Sequence, residues 1–183
     1  MAKESKVIFD RNVIEFVTVA AEYCKLMEQT VSSERTPFVD TMLKVLPLLY
    51  VKALLLPPCH FMGDGNLEEG VTEEDYEYIR STVAQLLADG DVYLDVFLED
   101  MKYSDTPIAK HISEDLADIY QDIKNFIFVF KLGLNLNMND ALAQCQENFK
   151  LYWGQKVVNT LRALHELRFT SDDVEEENEK FYD

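Results

Sequence analysis

The polar and apolar positions between residues 104 and 131 alternate at helical spacing. Apolar residues recur there every third or fourth position and so share one helix face. This stripe consists of Ile108, Ile112, Leu116, Ile119, Ile123, Phe126 and Phe130. Asp105 or Thr106 can cap the helix, Pro107 suits its first position, and Gly133 is a natural C-terminal stop. The pattern predicts one long helix over residues 104–131.

Two amphipathic helices are predicted near the N-terminus. The first covers residues 6–31, with a core face of Val13, Val17, Ala20, Cys24, Met27 and Val31. The second is expected to begin at a Thr36 cap with Pro37 in its first position, and to end at Pro57 and Pro58. Its additional leucines predict burial on more than one side. Pro47 lies inside this helix and predicts a kink or a break there.

A third helix is predicted to begin at Thr72, with Asp75 completing a capping box, and to end at Gly90. The loop before it, residues 57–71, is rich in glycine and acid and matches no metal-binding motif. Residues 91–103 fit both a strand and a short helix. We favour the helix, because no second strand is predicted that could pair with this segment.

The last long helix is predicted to follow a short turn at residues 134–137. Its core stripe consists of Leu142, Cys145, Phe149, Trp153, Thr160, Leu164 and Leu167. A turn this short predicts that the last two long helices form an antiparallel hairpin. Gly154 lies inside the last helix, and we expect it to allow another helix to cross closely.

These elements predict an all-α, single-domain bundle of five to six helices over residues 1–170. Residues 171–183 hold seven acids and one lysine without a core pattern, and we expect a frayed tail. The whole chain of 183 residues carries a formal net charge of −17. This charge argues against binding to nucleic acid or to anionic membranes, since both require a basic surface.

The sequence also indicates a cytoplasmic location. The cysteines Cys24, Cys59 and Cys145 are odd in number and far apart, as expected of free thiols in a reducing compartment. The N-terminus lacks the apolar core of a signal peptide, and the most apolar run, residues 43–56, is too short to span a bilayer.

A polar patch is predicted on the central helix and its hairpin partner. His111, Asp115, Asp118 and Asp122 fall on one strip beside the apolar stripe. In an antiparallel hairpin that folds near Asn135, Asp118 lies level with Tyr152, Asp122 with Asn148, and Asp115 with Gln155 or Lys156. Two interpretations are open: an ion-pair and hydrogen-bond network between two helices, or a site for a divalent metal or ligand.

Residues 116–124 (LADIYQDIK) and 152–167 (YWGQKVVNTLRALHEL) resemble a bacterial family catalogued as domain of unknown function 5063. The resemblance covers most of the chain outside the acidic tail. It implies a compact, all-helical, single-domain, cytoplasmic protein. The family has no assigned activity, so the resemblance implies none for this chain.

No complete catalytic motif is present, and two functional hypotheses follow. The leading hypothesis is a non-enzymatic interaction or regulatory module, without a cofactor, that binds an unknown protein partner or itself. The alternative is a metal-dependent hydrolase of a phosphorylated small molecule. In that alternative, Asp115, Asp118 and Asp122 would bind Mg²⁺ or Mn²⁺.

Overall fold

The computed structural model describes residues 5–95 and 107–179, with side chains up to residue 170. Six α-helices and two strands follow one another in this part of the chain. They are α1 (Arg11–Glu28), α2 (Arg35–Leu54), α3 (Glu73–Leu87), β1 (Val92–Asp95), β2 (Ile108–His111), α4 (Ile112–Lys131), α5 (Asn135–Asn148) and α6 (Gly154–Glu179). A π-helical segment, Phe149–Trp153, joins α5 to α6 without interruption. The predicted all-α bundle is confirmed, with one small sheet added.

Helix α4 lies at the centre of the bundle and packs against α1, α3, α5 and α6. The stripe predicted for it is buried from Ile112 to Phe126. The aromatic rings of Phe16 and Trp153 stack beside this stripe, with centroids 6.5 Å apart. Burial of large apolar side chains stabilises each helix by roughly 1.5–3 kcal/mol per side chain, so α4 is held from several directions.

The predicted antiparallel hairpin of the last two long helices is also confirmed. Helix α4 ends at Lys131, and Gly133 takes a positive φ of 74°, which favours glycine. Helix α5 begins two residues later, so the chain reverses within a short turn. The second arm, α5 with the π segment and α6, returns along α4.

The prediction of a helix is wrong at residues 92–95. Strand β1 pairs there with β2 in an antiparallel register, with Val92 opposite His111 and Asp95 opposite Ile108. Helix α4 therefore begins at Ile112, and Ile108 belongs to the sheet. Strand β1 pairs with residues 108–111, and Ile108 among them also fits the helical stripe of α4. The sequence therefore predicted a helix where β2 forms. The proposed caps Asp105 and Thr106 and the predicted helix at residues 96–103 lie outside the described residues.

A distant residue caps α4 in place of a local one. Buried Asp91 accepts hydrogen bonds from the backbone N–H of Ser113, at 2.7 Å, and from the Ser113 hydroxyl, at 2.7 Å. A carboxylate at this position satisfies a free N–H of the first turn and interacts favourably with the helix dipole. The Asp91 cap and the two-stranded sheet therefore fix the start of α4 together.

The predicted boundaries of the first two helices need correction. Asp10 caps α1 by accepting the N–H of Asn12, and Val31 lies in a 3₁₀ turn after the helix, 66% exposed. Helix α2 begins at Arg35, so Pro37 is its third residue. The helix continues through Pro47 without a break, because Leu46 and Leu49 are fully buried around it and offset the lost hydrogen bond.

The capping box at Thr72 and Asp75 is confirmed, because each residue bonds to the backbone N–H of the other. Helix α3 ends at Leu87, before Gly90, and a 3₁₀ turn over Ala88–Asp91 leads into β1. No helix among the described residues is long and apolar enough to cross a membrane.

Gly154 has a different role from the one predicted. A Cβ atom at this position would lie 2.5 Å from the carbonyl oxygen of Phe149 and 2.8 Å from its ring. The close approach therefore comes from the π segment of the same helical run and not from a crossing helix. Glycine at the start of α6 leaves room for the carbonyl group and the ring of Phe149 in the π segment. Segments of this kind are frequent at functional sites.

Thr160 provides a test of core packing. Its hydroxyl is fully buried on α6 and has no hydrogen-bond partner among the described residues. We predict that Thr160→Val raises the free energy of unfolding by about 1 kcal/mol, because it removes an unsatisfied polar atom without a change of shape. Urea denaturation measures this. Thr160→Ala, which also leaves a cavity, is the control and should not stabilise; a less stable valine variant would contradict the prediction.

Candidate functional site

Three carboxylates of α4 meet polar side chains of the returning arm. The Lys156 Nζ atom lies 2.8 Å from an oxygen of Asp115 and 2.8 Å from an oxygen of Asp118. Asn148 donates its side-chain N–H to Asp122 at 2.5 Å. The structure thus brings these residues together in the register that the hairpin predicts. We call these residues the acid–lysine cluster. Its members are Asp115, Asp118, Asp122, Asn148, Tyr152 and Lys156, together with Tyr76 and Tyr93.

Tyrosine hydroxyls complete the cluster. Tyr93 of β1 donates to Asp115 at 2.5 Å, while Tyr76 of α3 and Tyr152 of the π segment donate to Asp118 at 2.9 and 3.1 Å. The sequence analysis identified Tyr152 but missed Tyr76 and Tyr93. Both reach the cluster from elements whose position relative to α4 depends on the tertiary fold, so local spacing carries no signal for them.

The protonation states of the cluster follow from burial and from these bonds. Burial, and then the hydrogen bond to Asp115, raises the pKa of Tyr93 far above its usual range. Burial and the bond to Asp118 act in the same way on the pKa of Tyr76. Burial opposes the charge on Lys156, but its bonds to Asp115 and Asp118 outweigh that effect and raise its pKa. At neutral pH the tyrosines are therefore neutral donors, and Lys156 is a cation between two carboxylates.

Two residues proposed for the patch lie elsewhere. His111 ends β2, and its Nδ1 atom lies 3.2 Å from an oxygen of Asp91, within the group that caps α4. It therefore belongs to the cap and not to the acid–lysine cluster. Gln155, one of two residues predicted level with Asp115, donates to Asn159 at 3.1 Å, so Lys156 alone makes that contact.

The arrangement does not assemble the proposed metal ligands. Among the described residues, no three His, Cys, Asp or Glu side chains could hold a metal ion together. The ammonium group of Lys156 occupies the position between Asp115 and Asp118 that a cation would take. Asp115 is also nearly inaccessible, with a side chain that is 4% exposed. The contacts match the first interpretation, a network that joins two helices.

A cleft of about 540 Å³ lies beside the cluster, between α4, α5 and the loop that precedes α3. We call it the α4–α5 cleft. Asp122, Asn148 and Tyr152 line it and so belong to the cluster as well. Burial raises the pKa of the Asp122 carboxyl, the bond from Asn148 opposes this, and the nearby charge of Asp118 adds to it. Asp122 is thus a carboxylate with a desolvation cost at the wall of an open cavity.

The loop that borders the cleft is held by side chains of α4 and α5. Asp140 accepts the backbone N–H groups of Met62 and Gly63 at 2.7 and 2.9 Å. Asn125 accepts those of Gly70 and Val71 at 2.8 and 3.0 Å. The loop therefore has a defined path across the cleft, although its sequence indicates only an irregular connection.

Comparison with known proteins identifies the family. The profile of the family described as domain of unknown function 5063 matches residues 7–170. The chain belongs to this family. It is also similar to a crystal structure of a protein from Bacteroides fragilis, with 58% identity and a TM-score of 0.82 over 90% of this chain and 96% of that one. No curated protein is significantly similar to the chain.

Membership of domain of unknown function 5063 confirms the resemblance predicted from the sequence. It brings no assigned activity, so the role of the chain has to be argued from its own residues. As a binding site, the predicted patch stays a prediction, and the following variants test the contribution of its contacts to stability.

Removal of Lys156 tests the structural interpretation. We predict that Lys156→Met lowers the free energy of unfolding by about 3–5 kcal/mol, because it leaves buried Asp115 without its cation. Since the pKa of Lys156 is raised in the folded state, its contribution is complete at neutral pH and is lost only as the pH rises through that pKa. Chemical denaturation at pH 7 measures the loss.

The matched control is Lys156→Met combined with Asp115→Asn, which removes both charges. This double variant should recover part of the lost stability, because the more deeply buried of the two acids is no longer charged, while Asp118 keeps its hydrogen bonds from Tyr76 and Tyr152. A single variant within about 0.5 kcal/mol of the natural protein would show that the ion pair contributes little, as for an exposed pair.

Asp122 should behave in the opposite way. Because its pKa is raised in the folded state, its charge opposes folding above that pKa, and the cost disappears as the pH falls through it. We predict that Asp122→Asn, which keeps an acceptor for Asn148, raises the melting temperature at pH 7 and that the gain shrinks in acid. Glu22→Gln, at an exposed position on α1, is the charge-matched control. A melting temperature lowered at pH 7 would contradict this.

Proposed function

We propose that this chain is a non-enzymatic interaction module that associates with a second copy of itself through the outer face of α2. The observation that carries this proposal is a stripe of apolar side chains exposed on that helix. Leu48 and Val51 of α2 and Leu55, the C-cap residue directly after it, are 45%, 49% and 50% exposed and follow one another at steps of three and four. The sequence analysis expected α2 to be buried on more than one side, and in one copy of the chain this face stays uncovered.

The distribution of charge favours a second copy on this face. The chain carries a net charge of −17, so two copies repel each other across most orientations. Helix α2 contains the three basic residues Arg35, Lys44 and Lys52 and only one acid, Asp40. Arg35 pairs with Asp89 and Lys52 with Glu15, so the charges around this helix nearly balance and two copies that meet through α2 repel each other only weakly there. A two-fold arrangement would place the same apolar stripe on both sides of the contact.

The acid–lysine cluster supports a non-enzymatic role. Its two innermost carboxylates, Asp115 and Asp118, are taken by Lys156 and by tyrosine hydroxyls. A metal-dependent hydrolase would need these carboxylates free to bind Mg²⁺ or Mn²⁺, so the alternative hypothesis would require that the helix contact opens first. No contact of the described residues favours that step.

A cytoplasmic location is part of the proposal. It is supported by the three cysteines, all of them free thiols. Burial raises the pKa of the Cys24 thiol to about 12, so this residue is not a reactive thiolate at neutral pH.

Self-association can be tested with one residue of the stripe. We predict that Val51→Lys weakens dimerisation at least about tenfold, because each copy would place a charge in an apolar contact. Added salt should strengthen dimerisation of the natural protein by screening the repulsion between acidic copies. Sedimentation velocity and light scattering over a concentration series measure both effects.

Val31→Lys is the matched control, since it makes the same change at an exposed apolar residue outside α2. It should leave the dimer intact. A natural protein that stays monomeric at every concentration and salt level, or equal effects of the two substitutions, would contradict self-association through α2.

A further inference from the structure

The α4–α5 cleft has the dimensions of a small-molecule site. Its volume of about 540 Å³ lies within the range of roughly 300–1,000 Å³ that is typical of ligand pockets. The cleft is bounded by two packed helices, the π segment and a loop that Asp140 and Asn125 hold in place. It is therefore a preformed cavity with walls on several elements.

The charges that line the cleft are of one sign. Glu68 and Glu69 of the loop and Asp122 of α4 contribute carboxylates, and no lysine, arginine or histidine is among the lining residues. The rest of the chain adds to this field, because its net charge is −17. Such a cavity attracts cations and repels phosphates and carboxylates.

Amide side chains supply further hydrogen-bonding groups. Gln144 donates to Asn148 at 2.8 Å, and Asn148 donates in turn to one oxygen of Asp122, so this chain of bonds orients the carboxylate. The second oxygen of Asp122 makes no hydrogen bond within the described part of the chain. The same holds for the side chains of Glu68, Glu69 and Gln121. These acceptors match an ammonium group, which offers three donors and no acceptor.

The cleft also has some apolar surface. Leu67 of the loop and the ring of Tyr152 line it and are partly exposed, whereas the lining residues Phe126, Val129 and Cys145 are almost fully buried. An inorganic cation gains nothing from contact with such a surface. Among the described residues, no three His, Cys, Asp or Glu side chains could bind one metal ion together. Methylene groups gain free energy when they are buried against such a surface. The cleft thus combines cation recognition with apolar contact.

We propose that the α4–α5 cleft binds an aliphatic diamine or polyamine. One ammonium group pairs with Asp122, a second with Glu69 of the loop, and the methylene chain between them lies against Leu67 and the ring of Tyr152. This inference rests on the cleft and is independent of self-association through α2.

Thermal shift and isothermal titration calorimetry with putrescine and spermidine test the proposal. Diamine at a hundredfold excess over its dissociation constant should raise the melting temperature by about 5–11 °C for a chain of this size. Asp122→Asn should weaken binding at least about tenfold, because it removes the charge that pairs with the ammonium group. Glu69→Gln tests the second contact from an exposed loop position, where the substitution does not disturb the core.

Three controls separate the proposal from a general effect of charge. Glu22→Gln changes the net charge equally on α1, outside the cleft, and should bind putrescine like the natural protein. 1,4-Butanediol has the same carbon chain without charge and should not bind. Val51→Lys, the variant designed to block self-association, should bind normally, so failure of one proposal does not imply failure of the other.

Two results would overturn the inference. One is the absence of any putrescine or spermidine binding by the natural protein. The other is binding that Mg²⁺ reproduces at matched ionic strength or that Asp122→Asn and Glu22→Gln reduce equally, since both patterns describe counterions gathered by an acidic surface.

Discussion

The ammonium group of Lys156, held between Asp115 and Asp118, is the contact on which the arrangement of the bundle depends. A lysine on the inner side of α6 and two acids on α4 are each costly to bury alone, and the cost is met only when the two helices adopt one register. A shift by one turn would separate the charges by about 5.4 Å and leave Asp115 unpaired in the core. Apolar packing holds the helices together, whereas this pair selects their alignment.

The two tyrosines extend this constraint to the rest of the fold. Tyr93 of β1 donates a hydrogen bond to Asp115, and Tyr76 of α3 donates one to Asp118, so both elements are joined to α4. Asp91, just before β1, caps the start of α4. The two-stranded sheet is therefore attached to α4 at Tyr93 and at Asp91. A two-stranded sheet is only marginally stable alone, and these two contacts explain why it forms here. Each attachment combines a buried acid with a donor from a distant segment.

Local pattern was sufficient for the existence of the helices and for all of the cluster except Tyr76 and Tyr93. The spacing of Asp115, Asp118 and Asp122, combined with a short turn, placed Asn148, Tyr152 and Lys156 opposite them, because helix geometry fixes positions over many residues. It failed at β2, where Ile108 continued a helical stripe but pairs with a strand. It also gave no signal for Tyr76, Tyr93 or Asp91, since their contacts with α4 depend on how separate elements pack.

The cluster and the cleft differ in one respect that decides their chemistry. Asp115 and Asp118 share the internal cation Lys156, so the fold itself balances one of their two negative charges. Asp122 is bonded to the neutral amide of Asn148 and makes no ion pair; burial raises its pKa, and the bond from Asn148 and the more distant charge of Lys156 offset this only in part. A fold that supplies Lys156 to two acids on α4 leaves the third, at the wall of an open cavity, with a neutral partner. An external cation at Asp122 would give it an ionic partner as well, and the apolar surface of Leu67 and Tyr152 in the same cleft favours a cation that carries a hydrocarbon chain.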